Sequence, residues 1–158
     1  MTKARPPAAR ILDQLQIPYE LVEFAPAIRS AAEIARREGV DGSVVYKTLV
    51  VQEEPPGRHP LLVMAPATRE LDLRRLARSL GVKKLRMATH DEAERLTGLQ
   101  VGGISAIALR TKGWPVYVDS AALDIEQVLV SAGRRGADLR MSPHDLLFVT
   151  GAQPLELG

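Results

Sequence analysis

The sequence predicts an α+β domain, and three observations carry that assignment. The β-branched run Val44 to Val51 reads as a strand buried on at least one face. Other stretches place apolar residues at helical spacing between a capping residue and a glycine or proline stop. The many short strands interleave with these helices, with no internal repeat, low-complexity tract or linker. A chain of 158 residues fits one domain, expected over residues 1–158, and is long enough for a sizeable core.

Ala8 to Leu15 carries the first helical pattern, after Pro6-Pro7, and Pro18 ends it. Tyr19 to Phe24 alternates and reads as a strand. Ser30-Ala31-Ala32-Glu33 is a capping box and Gly39 a stop, which predicts a helix over Ala31 to Glu38. Ser43 to Gln52 is a strand. Glu53 to Pro60, with Pro55-Pro56-Gly57, is a hairpin loop, and Leu61 to Ala65 returns. Asp72 to Leu80 is an amphipathic helix stopped by Gly81, with Leu73, Leu76, Ala77 and Leu80 as its apolar stripe. Lys83 to Met87 is a short strand, and the capping box Thr89-His90-Asp91-Glu92 opens a helix to about Leu96. Ile104 to Leu109, Val116 to Asp119 and Gln127 to Ser131 read as further strands. Ser142-Pro143 caps a last short helix through Leu147.

Composition removes several function classes. Without cysteine there is no disulfide, no cysteine metal ligand and no thiol nucleophile. His59, His90 and His144 are not spaced as a ligand set, so no metal is expected. No P-loop or dinucleotide fingerprint is present, so no cofactor is expected. No nucleophile elbow supports a Ser-His-Asp triad. Asp119, Asp124 and Asp138 are candidate acids or bases, of a residue type that also caps turns. No apolar run approaches the ~18 residues of a membrane span. Met1 to Pro7 lacks an apolar signal core. A cytoplasmic protein without a membrane partner is the expectation.

Net charge is only +2, but the basic residues cluster. Arg74, Arg75, Arg78, Lys83, Lys84 and Arg86 form one group, Arg134 and Arg135 a second, Arg36 and Arg37 a third. Local basic patches bind a phosphate backbone even at small net charge, and they also serve as solvated faces. Aromatic residues are only 4%, so no stacking platform for single-stranded bases is evident. No helix-turn-helix with a basic recognition helix appears, which argues against a DNA-binding regulator.

Two segments stand out. In Leu99-Gln100-Val101-Gly102-Gly103-Ile104-Ser105, paired glycines let backbone approach a ligand, and bare N–H groups there can hold a phosphate or an oxyanion. The same pair also suits an ordinary turn. In Val44 to Val51, Lys47 lies inside an apolar strand. Two readings stand side by side: an ammonium projecting into a cleft, or one snorkelling to water from an edge strand.

The order and spacing of several segments resemble the YbaK/ProX family of aminoacyl-tRNA deacylases, related to the editing domain of some prolyl-tRNA synthetases. Those segments are Val45 to Val50, Glu70-Leu71-Asp72-Leu73, Thr97-Gly98 with Val101 to Ser105, and Val130-Ser131 with Gly133 to Gly136 and Asp138. The resemblance covers about Ala8 to Leu147. It implies a mixed, β-barrel-like sheet surrounded by helices, and trans-editing of mischarged tRNA. Lys47, Gly102 and Gly103 are the implied catalytic set. Tyr46, Ser30, Ile104, Ser105, Ser131 and Asp138 are the implied substrate contacts. Arg74, Arg75, Arg78, Lys83, Lys84 and Arg135 are the expected tRNA contacts. The expected partners are the acceptor end of the aminoacyl-tRNA and a prolyl-tRNA synthetase, not DNA. Two departures bear on the pocket. Ala106 stands where many members have proline, and Phe24 to Ser30 replaces a His- and Asp-containing segment.

An aminoacyl ester is already activated, so its cleavage needs positioning and oxyanion stabilisation more than a protein nucleophile. The resemblance implies Cys-tRNA(Pro) as substrate, with the cysteine thiol attacking its own carbonyl. Ala-tRNA(Pro), or a tRNA bearing another small amino acid, is the alternative substrate. A non-catalytic module that docks tRNA or a synthetase is the alternative function.

Overall fold

The helices form where caps and stripes place them. In the computed structural model, which describes residues 4–28 and 30–157, α1 (Pro7–Leu15), α2 (Ala31–Glu38), α3 (Leu73–Leu80), α4 (His90–Thr97) and α5 (Pro143–Thr150) are the α-helices. Ser30, Asp72, Thr89 and Ser142 each accept the N–H three residues on. Glu92 completes the box at Thr89 by accepting its N–H at 2.9 Å. Glycines 39, 81, 98 and 151 end four helices in the left-handed region. Arg29, in the departing segment before α2, lies outside the described residues, as do Met1 to Lys3 of the N-terminal segment.

The strands are β1 (Glu20–Glu23), β2 (Tyr46–Glu53), β3 (Leu61–Pro66), β4 (Leu85–Met87), β5 (Val116–Asp119), β6 (Val128–Arg134), β7 (Ala137–Met141) and β8 (Gln153–Leu155). They form two sheets. One has the order β1-β7-β6 and is antiparallel. The other, β4-β2-β3-β5-β8, is mixed, because β5 joins β3 and β8 in parallel. The α+β class holds. The strands do not close into a barrel: one isolated bridge, Val45 to Leu129, links the sheets among the described residues.

Alternation on β2 divides the core. Tyr46 and Val50 face the main core with Leu62, Met64, Val130 and Leu139, and with Leu12 of α1. Val51 faces the opposite way, onto Leu76 and Ala77 of α3 with Leu61 and Val63. Val45 packs with Ile34 and Ala35 of α2 and with Leu129, at the seam between the sheets.

Beyond other shifts of a few residues at element ends and other short 3-10 turns, four differences from the sequence reading stand out. Ile104 to Leu109 is not a strand but a series of turns. Ser105 Oγ accepts the Ala108 N–H at 3.1 Å and Ser105 O the Leu109 N–H at 3.2 Å, so local bonds replace a ladder. The run is buried and apolar, and so mimics a core strand. The Lys47 strand starts at Tyr46, after a 3-10 turn over Gly42–Val44. β7 is an additional strand, a five-residue alternation of apolar and polar residues that lies outside the elements read from the sequence. β8 is another, an edge strand that tolerates Pro154.

Candidate active site

A cavity of about 370 Å³ opens at the seam. Over Tyr46 to Leu49, β2 is paired only by β3, since β4 covers only Val51 to Glu53. Lys47 and Thr48 line the cavity from this half-paired stretch, and Ile34 lines it from α2. Gly102 and Ile104 supply another wall, and Ser131 and Asp138, cross-strand partners on β6 and β7, supply the last. The structure thus brings together Tyr46, Lys47, Gly102, Ile104, Ser131 and Asp138 of the expected residues. Of the two readings of Lys47, the geometry favours the cleft.

The electrostatics of the cavity rest on Lys47 and Asp138. Lys47 is half-buried, and the acids on the β7 side, Glu20 and Glu38, are taken up by Arg140 at 3.7 and 2.9 Å. Asp138 is 8% exposed. Burial, reinforced by Glu38, lifts its carboxyl to about 6. The Tyr46 phenol is pushed up to about 12, first by burial and then by Asp119, so it stays neutral. Arg69 pairs with that same Asp119 at 3.2 Å and is part-exposed.

The glycine turn is fixed on both sides of Val101. The Val101 N–H donates to the Glu94 carboxylate at 2.8 Å, and Arg135 Nε donates to the Val101 carbonyl at 2.8 Å. Within the turn, the Gly103 N–H donates to Gln100 O at 2.8 Å. The two glycines therefore differ. Gly102 has φ of 94° and lines the cavity. Gly103 is buried, and a Cβ there would stand 2.7 Å from the Arg134 backbone. Its bare Cα serves a close approach of two backbones, and its N–H is engaged within the turn.

Three other expected residues do not face the cavity. Ser105 is 2% exposed and caps the turn that follows. Ser30 caps α2, whose next residue Ala31 lines the cavity. Arg135 reaches the glycine turn with its Nε. Arg74, Arg78, Lys83 and Lys84 line a separate groove of about 610 Å³ between α3 and β4. Lys84 meets Glu54 at 3.3 Å, and Arg75 points away, to Glu156 at 3.2 Å. Both are exposed pairs worth at most about 1 kcal/mol. Glu94, Thr48 and Ile34 are site residues that sequence reasoning missed. Glu94 lay in a helix pattern, and only a fold brings it to Val101.

Among the described residues there is no cluster of acids and histidines able to hold a metal, and no helix is long and apolar enough to cross a membrane. Residues 25–149 match the family model of the aminoacyl-tRNA editing domain. A protein of Enterococcus faecalis, EbsC, named for deacylation of Cys-tRNA(Pro) and Cys-tRNA(Cys), is 33% identical over 99% of this chain and 94% of its own. The prolyl-tRNA editing protein ProX of Acetoanaerobium sticklandii is 29% identical over 85% of this chain and 83% of its own. A solved structure named as a trans-editing enzyme for prolyl tRNA synthetase superposes with a TM-score of 0.82 at 30% identity, covering 98% of both chains. With the editing-domain match spanning most of its length, the chain belongs to the YbaK/ProX family of aminoacyl-tRNA editing proteins.

Proposed function

We propose that this protein is a trans-editing deacylase that removes cysteine from Cys-tRNA(Pro) without a protein nucleophile. One observation carries the reading: a small cavity with a lysine on one wall and a buried carboxylate on another, roofed by a rigid glycine turn. A cavity of about 370 Å³ suits a small aminoacyl group and the ribose it esterifies. Lys47 holds the phosphate-bearing acceptor end. Asp138, ionised above about 6, faces the α-ammonium group. The Gly102 N–H is the donor to the ester carbonyl oxygen as negative charge develops there. The cysteine thiol loses its proton and attacks its own carbonyl. The sulfur–carbon bond forms as the ester bond breaks, and the ribose oxygen leaves with a proton.

Arg74, Arg78, Lys83 and Lys84 supply attraction for the RNA backbone. The setting proposed is the cytoplasm, beside a prolyl-tRNA synthetase that generates the mischarged tRNA. The test is single-turnover deacylation of Cys-tRNA(Pro) and Ala-tRNA(Pro). Faster loss of cysteine, abolished in Lys47→Ala, is the expected result. Loss of neither amino acid overturns the reading.

A further inference from the structure

The single tryptophan of the sequence lies in a groove that the deacylase site does not use. This groove, about 370 Å³, runs between the β2–β3 loop, the end of β4 and α4. Arg58, His59, Arg86, Arg95 and Trp114 line it, with Gln52 of β2 also in the lining. Its one acid, Glu92, is fully engaged. Arg86 binds it through both terminal nitrogens at 2.8 Å, which holds the Glu92 carboxyl down at about 2. Arg58 and Arg95 are exposed and make no ion pair among the described residues. The Trp114 indole is part-buried, with Lys112 Nζ 5.2 Å from the ring centroid. Unpaired guanidinium groups beside a held aromatic ring suit a phosphate and a planar base together.

We infer that this groove binds one nucleoside phosphate unit, its base against Trp114 and its phosphate between Arg58 and Arg95. The unit assigned to it is an unpaired nucleotide of the substrate RNA, upstream of the aminoacylated end. This source rests on the deacylase reading. Position supports it. Tyr46 of the cavity lining and Gln52 share one face of β2, about 20 Å apart at ~3.3 Å per residue, a gap that a few unpaired nucleotides bridge. Low aromatic content argued against a stacking surface, but one indole in the right place suffices.

Trp114 fluorescence reports on the groove without needing deacylase activity, because no other tryptophan contributes. The uncharged trinucleotide CCA and, separately, AMP are titrated into the full protein. A saturable change with CCA, weakened about tenfold in Arg58→Glu/Arg95→Glu and by added salt, is expected. The same double variant and Trp114→Phe should raise KM for charged tRNA far more than they lower kcat. Equal affinity for AMP and CCA would keep the groove as a nucleotide site but overturn the RNA source. Unchanged fluorescence with both ligands, together with an unchanged KM in the double variant, overturns the inference even if deacylation proceeds normally.

Discussion

The glycine turn and the α3 groove are held in opposite ways. At Val101 the peptide N–H and carbonyl are each taken by a charged side chain at 2.8 Å, and Gly103 packs backbone on backbone. In the groove, Arg74, Arg78 and Lys83 make no ion pair among the described residues, and Lys84 has an exposed one. A dipole that must meet a developing charge has to be fixed before the reaction, because reorganising it then costs free energy. Cations that attract a polyanion over nanometres need no fixed geometry. Damage to the turn should therefore appear in kcat, and damage to the groove in KM and its salt dependence.

The largest effect is expected at Lys47. Lys47→Ala should lower single-turnover deacylation roughly 100-fold or more, because an acceptor end no longer held at β2 is misplaced against the glycine turn, with thermal unfolding unchanged. Near-normal turnover would move the chemistry away from β2.

The paired glycines give the sharpest contrast. Gly103→Ala drives a Cβ into the Arg134 backbone and should destabilise by about 1–3 kcal/mol, with activity falling in step with folded fraction. Gly102→Ala meets the strain of a positive φ, about 1–2 kcal/mol, yet should leave a folded protein with much lower kcat. Thermal melts and turnover on the same preparations separate the two. If the pattern reverses, the roles assigned to the two glycines are exchanged.

Arg135→Ala should follow, lowering kcat about tenfold by freeing the Val101 carbonyl. An effect on KM alone would make Arg135 an RNA contact instead.

Asp138 links function to stability. Its folded carboxyl titrates near 6, above the ordinary 3.8, so ionisation opposes folding. The contribution it makes to stability is full below about 3.8 and is lost as pH rises through about 6. Asp138→Asn should therefore stabilise the protein at pH 7.5, by up to roughly 3 kcal/mol, and much less at pH 4, while weakening substrate binding. Melting curves at the two pH values check it. An equal change at both would remove the linkage.

The smallest effect belongs to the groove. Arg78→Glu/Lys83→Glu should raise KM a few-fold at moderate salt and flatten the salt dependence of tRNA binding, with kcat little changed.

Much of this arrangement was legible in the chain. Caps at Ser30, Asp72, Thr89 and Ser142 act through the next turn of backbone, so local sequence announces them. Lys47 stood out as a cation inside an apolar strand, but a snorkelling ammonium on an edge strand reads the same way, and only its place in the cavity lining separates the two. Gly103 drew notice for a sound reason, but its neighbour in space is Arg134, thirty-one positions on, and nothing local says so. Ile104 to Leu109 misled because burial makes a turn look like a strand. β7 alternates apolar and polar residues over only five positions, too short a run to stand out, although two of them, Asp138 and Arg140, belong to the site and to its support.

Among the described residues one bridge, Val45 to Leu129, joins the two sheets, and the cavity lies on that line. Its opposite walls therefore belong to separate hydrogen-bonded bodies, and its width is a spacing between them rather than a property of any lining side chain. Adding or removing a methyl group at Leu129, which packs at the seam without lining the cavity, would slide one wall past the other. A family on this plan can change which small amino acid it accepts by re-spacing the seam while every group that touches the ester stays the same.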